Sequence, residues 1–349
     1  MTNNANAIME VATETSELTR DLAARDETLD TRATVCPLCG SKTTREFLRA
    51  PDRFHLRREI YKLMRCEDCT GVWLADPPAP GEMGLHYSED YHRAITKSGE
   101  TVAQYRWQRH RDLISRYKQS GAILDIGCSS GAFLGTMKHG WKLHGIEMER
   151  ATAEKARLAT GAEIFVGNAM DAPFAPESFD AITCFDVLEH VYNPREFLSQ
   201  VMQWLKPGGM FFAMLPNIDA WEAKIFGSYW YGLELPRHTF HFSPKSLRRV
   251  MSSLGFCEVL MNTPAASHWD ASMSYLYSAG LEKLGLEATP LSRPKRAGIP
   301  ERLVRKALRM TLVKAFSTTA SLAGAGGGIE AVFAKPPLSK SRKAGVPKT

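Results

Sequence analysis

The sequence predicts an α/β fold, a parallel sheet with crossover helices, preceded by a small cysteine module. Three observations carry this. Short apolar runs alternate with helical periodicity from about Ala122 onward, the first of those runs passes straight into a glycine-containing turn, and two Cys-x-x-Cys pairs stand in front of it.

The 349 residues, 44% hydrophobic and 23% charged, have room for one large domain and a smaller one. No run approaches the roughly 20 apolar residues of a membrane-spanning helix, and the polar, acidic start does not resemble a secretion signal, so the chain reads as cytoplasmic. Seven cysteines, an odd number, argue against a disulfide framework. The net charge of +6 is mild and diffuse, which gives no nucleic-acid signature.

Residues 1–33 hold no Phe, Trp, Tyr, Gly or Pro and read as a disordered tail. Residues 34–80 follow with Cys36-Pro-Leu-Cys39-Gly and Cys66-Glu-Asp-Cys69-Thr-Gly. Four thiolates at such spacing close a tetrahedral shell around Zn2+, and a closed shell leaves no open position for a substrate, so the metal is structural. Phe47, Phe54, Ile60, Tyr61 and Leu63 suggest the short strands of a zinc ribbon, which Asp76-Pro-Pro-Ala-Pro-Gly81 ends. Residues 81–120 form a linker with a helix from about Thr101 to Tyr117. Its aromatics, with Tyr87 and Tyr91 before it, pack between the domains or line a pocket mouth.

The core spans 121–335. In Ala122–Gly131, AILDIGCSSG, Ile123, Leu124 and Ile126 read as a buried strand, and Gly127 to Gly131 as a turn that lets backbone approach a ligand before a helix at Ala132–His139. Strands follow at Lys142–Ile146, Glu163–Val166, Phe179–Cys184 and Met210–Leu215, with helices at Ala151–Ala159 and Pro194–Trp204. Lys206-Pro207-Gly208-Gly209 reads as a helix stop. Asp125, Glu147, Asn168 and Asp186 thus fall at strand ends along one sheet edge, where a parallel sheet binds its ligand. Glu147 suits the two hydroxyls of a ribose and Asn168 an adenine edge, a set that a nicotinamide enzyme would use equally well.

LDIGCSSG, GIEMER, GNAMDAPFAPESFDAITCFDVLEHV and LKPGGMFFAMLPN resemble, in order and spacing, the motifs of class I S-adenosylmethionine-dependent methyltransferases. With CPLCG and CEDCTGVW in front and LPRHTFHFSPKSLRRVMSSLGF behind, the chain is similar to bacterial zinc-ribbon methyltransferases, a group that includes sugar C-methyltransferases and natural-product enzymes. The resemblance implies a Rossmann-like, seven-stranded, mostly parallel sheet with an N-terminal zinc ribbon. Phe256–Asn262 would be its sixth strand, and the stretch from Gly327 to Ala334 its last and antiparallel one. It also implies S-adenosyl-L-methionine as cofactor, with Asp125, Gly127, Cys128 and Gly131 at the methionine portion, Glu147 at the ribose, Asn168 and Ala169 at the adenine, and Asp186 beside them. Ser129 stands where the middle glycine is usual, and Asn168 where an aspartate is.

Methyl transfer from a sulfonium needs positioning, and an alcohol or carbon acid must also lose a proton. In RHTFHFSP, His238 matches the histidine that serves as base in related sugar methyltransferases, and His241 is a second candidate. Arg237 replaces the usual neighbouring Glu. The plainer reading has both histidines orienting the loop before a helix at Pro244–Leu254. Glu189 and His190 follow the fourth strand and face the cofactor or the acceptor.

Residues 265–326 form an insertion, and 336–349 a basic tail. Arg302, Arg305, Lys306, Arg309 and Lys314 interleave with apolar residues in an amphipathic helix around 301–316, of a kind that rests on an anionic membrane surface or meets a phosphate-bearing substrate. The expected acceptor is a small or carrier-linked metabolite, a sugar or natural-product intermediate. The alternatives are an RNA methyltransferase gripping nucleic acid with the ribbon, against which Glu67 and Asp68 make the second knuckle acidic, and a non-catalytic cofactor-binding regulator.

Overall fold

The computed structural model describes residues 34–87, 100–265, 268–284 and 309–337. The expected tail 1–33, Tyr91, residues 301–308 of the basic helix and the tail beyond 337 lie outside the described residues.

The cysteine module contributes β1 (Thr44–Pro51), β2 (Ile60–Cys66) and β3 (Val72–Leu74), joined antiparallel. Phe54, expected on a strand, is buried in the turn between β1 and β2 instead. There Asp52 Oδ1 accepts from the Phe54 amide, the side chain standing in for a strand partner. Helix α1 (Glu100–Ser115) then leads into the core and buries Leu113 and Ile114 against the large sheet.

That sheet is built from β4 (Gly121–Ile126), β5 (Trp141–Glu147), β6 (Glu163–Val166), β7 (Phe179–Phe185), β8 (Leu205–Pro216), β10 (Cys257–Asn262) and β11 (Gly328–Ala334). Its order is β10-β11-β8-β7-β4-β5-β6, with β4 to β8 parallel and β11 antiparallel between β8 and β10. The seven-stranded, mostly parallel expectation is met. β4, an interior strand flanked by β7 and β5, buries Ile123, Leu124 and Ile126, which is why its apolar run does not alternate.

The crossovers are α2 (Arg150–Thr160), capped by the Glu149 carboxylate on the Ala151 and Thr152 amides and stopped by Gly161 at φ 73°, and α3 (Pro194–Trp204). Only a 3-10 turn, Leu134–Met137, replaces the helix expected at Ala132–His139. Gly131 and Gly140 hold positive φ at its two ends, and Gly135 between them weakens any helix. Helix α3 ends at Trp204 as expected, and Lys206 to Gly209, expected only to stop it, already belong to β8.

Beyond β8 the chain makes α4 (Trp221–Phe226), the two-residue strand β9 (Phe240–His241) and α5 (Pro244–Ser253). The N-cap Ser243 hydroxyl of α5 accepts from the Ser246 amide. The described part of the insertion consists of α6 (Trp269–Lys283), a π-helical turn Arg309–Val313 and α7 (Lys314–Leu322). Phe316 packs against Trp221 and Trp269, so this end of the expected basic helix is docked.

Strand β9 pairs with β3, Val72 opposite His241 and Trp73 opposite Phe240, and so completes a four-stranded sheet that the cysteine module begins. One buried cluster runs from Cys36, Leu38 and Trp73 through Phe240, Phe242 and Leu247 to Leu124, Ile126 and Phe211. The ribbon and the sheet share a core.

Candidate functional site

The carboxyl ends of β4, β5, β6 and β7 meet at one edge. At the end of β4, Gly127 has φ 75° and Gly131 φ 80°. A side chain at Gly127 would run into Val187, and one at Gly131 into Thr160 and Ala156, so glycine is required by space as well as by φ. The Gly127 and Cys128 amides both donate to the Ile146 carbonyl, tying the turn to β5. Cys128 buries its thiol in the core, leaving its backbone at the turn.

Glu147, half-buried at the end of β5, has both oxygens engaged: Oε2 accepts from the Ser129 amide at 3.0 Å and Oε1 from the Glu149 amide at 2.9 Å. The carboxylate is thus held rigid over the turn. Its neighbour Met148 is 74% exposed. That apolar side chain, which no motif or periodicity points to, leaves a surface open to a flat ligand beside the Glu147 carboxylate. Asp125 is buried and accepts from Thr183 Oγ1 at 2.6 Å. Burial, reinforced by the charge of Glu147, pushes its carboxyl up to about 7 against the pull of Thr183.

Asn168 is exposed, and its Oδ1 accepts from the Met170 amide, capping the 3-10 turn Ala169–Asp171. Ala169 packs on the core. Asp186, in the left-handed region at φ 55°, pairs with Arg106 of α1. The structure brings Asp125, Gly127, Gly131 and Glu147 into one turn region and sets Asn168, Ala169 and Asp186 on the neighbouring strand ends.

A second constellation lies past β7, the strand beside β4. Glu189, His190 and His238 bring one ligand atom each to within 4.8 Å of one another. Glu189 is buried, and its Oε2 has no hydrogen-bond partner among the described residues. Burial first, then the charge of Asp186, pushes its carboxyl well up. The Nδ1 of His238 lies 2.9 Å from the Gly232 carbonyl, and the Nδ1 of His190 lies 3.0 Å from the Arg237 carbonyl and 3.0 Å from Tyr87 Oη. Carbonyls only accept, so each Nδ1 carries the proton and each Nε2 a lone pair. Burial, then the neighbouring imidazoles of His190 and His241, holds His238 well below its usual range, in its neutral form.

His238 is only 4% exposed, so its ring lies behind half-buried His190, with ring centroids 4.7 Å apart. His241 is a neighbour of this group and not a member of it: its ring lies 6.0 Å from that of His238, centroid to centroid, and its Nε2 is 3.0 Å from the Leu233 carbonyl. The carboxylate facing His238 is Glu234, 3.6 Å away, presented by a left-handed residue at φ 38°. Arg237, at the usual Glu position, turns inward to Asp52 and Glu234, each at 3.4 Å. The aromatic segment from Trp221 to Tyr231 is covered by the insertion: Ser272 Oγ of α6 accepts from the Tyr231 amide, and Tyr275 stacks on the Tyr231 ring.

In the cysteine module, Cys36 Sγ lies 3.6 Å from Cys69 Sγ and Cys39 Sγ 3.6 Å from Cys66 Sγ, all four within 4.8 Å. Sulfurs about 2.3 Å from a tetrahedral ion are about 3.8 Å apart. The donor set therefore fits zinc.

Residues 100–259 match the family model described as a methyltransferase domain. The ubiquinone biosynthesis O-methyltransferase of Stutzerimonas stutzeri is 36% identical over 130 residues, covering 34% of this chain and 56% of the relative. That of Saccharophagus degradans is 29% identical over 180 residues, covering 45% and 76%. The chain thus spans little more than half the length of the first of these relatives. A solved S-adenosylmethionine-dependent methyltransferase from Archaeoglobus fulgidus superposes with a TM-score of 0.44 at 16% identity, covering 67% of this chain and 94% of that one. The strand order and the glycine turn agree with the match to a methyltransferase-domain model over residues 100–259.

Proposed function

We propose that this protein transfers a methyl group from S-adenosyl-L-methionine to a small acceptor bearing a hydroxyl or an acidic C–H, and that the acceptor is activated at the Glu189–His190–His238 cluster. The observation that carries the reading is a juxtaposition: the glycine turn of β4 and this cluster sit at the carboxyl ends of two hydrogen-bonded neighbouring strands. Cofactor methyl and acceptor are then held side by side, and alignment alone supplies on the order of 7–11 kcal/mol.

In this reading Glu147 takes the ribose hydroxyls, Met148 and Asn168 the adenine, and Asp125 with the Gly127–Gly131 turn the methionine portion, the amino-acid ammonium compensating the buried carboxylate. The bare imidazole nitrogens, His190 at the surface of the cluster and His238 behind it, are the proton acceptors. Cys36, Cys39, Cys66 and Cys69 hold a structural zinc. The acceptor in this reading is an O-methyl acceptor of the kind the curated relatives' names imply, or a sugar or natural-product intermediate. The experiment is methyl transfer to pooled small-metabolite acceptors with labelled cofactor: label in an acceptor that disappears in His238→Ala supports the reading, and cofactor binding with no transfer to any acceptor contradicts it.

A further inference from the structure

We infer that Glu189, His190 and His238 form a binding site for one divalent first-row transition-metal ion, separate from the four-cysteine cluster. Backbone carbonyls fix both Nδ1 atoms as donors, which leaves two Nε2 lone pairs directed away from those bonds. Imidazoles that ligate metals are oriented in this way, through the other ring nitrogen held by a carbonyl or carboxylate.

The third group is the buried Glu189 carboxylate, whose Oε2 has no hydrogen-bond partner among the described residues. An oxygen of the buried Glu189 carboxyl and a nitrogen of each imidazole lie within 4.8 Å of one another, and the Glu234 carboxylate, paired with Arg237, lies 3.6 Å from His238 Nε2. Leaving the buried Glu189 Oε2 without a hydrogen-bond partner is costly, and a cation held between it and the two imidazoles converts that cost into ligation. Two neutral imidazoles and one carboxylate suit manganese, iron or zinc better than calcium or magnesium, which prefer all-oxygen sites. Three ligands leave further coordination positions for an oxygen of the acceptor.

This revises the acceptor step, since the imidazoles serve as ligands and no longer as bases once the ion is bound, and it rests on the same placement of the acceptor. With the ion bound, the imidazoles hold the ion in place of a proton. The acceptor's O–H bond then breaks with its proton passing to water, because the ion stabilises the oxygen anion. The oxygen forms its bond to the methyl carbon as the sulfonium C–S bond breaks, and neutral S-adenosylhomocysteine leaves.

The test needs neither cofactor nor acceptor. Full-length protein with its cysteine cluster loaded with zinc is titrated with Mn2+, and free Mn2+ is followed by its electron paramagnetic resonance signal. The expected result is saturation at one Mn2+ per chain, with affinity lowered about tenfold or more in Glu189→Gln and in His190→Gln. Mn2+ that stays free up to millimolar concentration in the wild-type protein overturns the inference, as does binding that both substitutions leave unchanged. Should either variant fail to fold, the wild-type titration decides alone. A protein that binds Mn2+ and methylates nothing refutes the proposed activity and leaves the metal site standing.

Discussion

Val72, one residue past the glycine of the second knuckle, pairs in an antiparallel ladder with His241, three residues past His238. The cysteine module and the histidine loop are two sides of one small sheet. Whatever orders the knuckles therefore also orders the loop that carries His238, and segments far apart in the chain become mechanically continuous.

Removing the zinc should for this reason reach the acceptor site before the cofactor site. Cys66→Ser is expected to lose the metal, lower the melting temperature by roughly 5–15 °C and reduce turnover strongly, while S-adenosylmethionine affinity changes little. Metal analysis, calorimetric melting and cofactor titration on the same preparation check this. Unchanged turnover in the zinc-free variant would separate the module from the loop.

Gly71 offers a milder break at the same junction. A Cβ there would lie 2.6 Å from Cζ of Phe240, a ring that is itself 1% exposed and has nowhere to move. Gly71→Ala should cost about 1–3 kcal/mol by overpacking and slow turnover, with zinc content and cofactor affinity retained. Denaturant unfolding measures the cost. A variant as stable as wild type would show that β9 yields easily.

Asp125 gives a pH signature. Its carboxyl, at about 7 in the folded protein, lies above the value of about 3.9 expected unfolded, so folding favours the neutral form. The stabilising contribution is full below about pH 4, declines as pH rises and is gone above about pH 7. Asp125→Asn removes this loss: its melting temperature should match wild type near pH 4 and exceed it at about pH 8. A cationic cofactor favours the ionised form, so wild-type affinity for S-adenosylmethionine should rise from about pH 6 to 8 and that of the variant should stay flat. A melting difference independent of pH would contradict the assignment.

Much of this was legible in the chain. The apolar run into GCSSG, and the acids that end the next strands, pointed to the sheet and to the edge where those strand ends meet, because an interior parallel strand must be apolar on both faces. Two features were not. The pairing of β9 with β3 involves two residues of each strand and carries no periodicity to read. The Glu234 carboxylate reaches His238 because one left-handed residue turns the chain back, and neither spacing nor composition announces that. The helix expected after Gly131 failed for a local reason, glycines at both ends and one in the middle. His238 was readable as chemistry, yet its burial behind His190 came only from packing.

The central claim, a cofactor site at the β4 turn distinct from an activating cluster past β7, is tested most directly by calorimetric titration of S-adenosylmethionine into three proteins. Wild type should bind one cofactor per chain. Glu147→Ala, which removes the carboxylate held by the Ser129 and Glu149 amides, should bind about 10- to 100-fold more weakly, and His238→Ala should bind as wild type does while its turnover is abolished. Binding that survives Glu147→Ala unchanged, or that is lost in His238→Ala with the fold intact, would contradict the account.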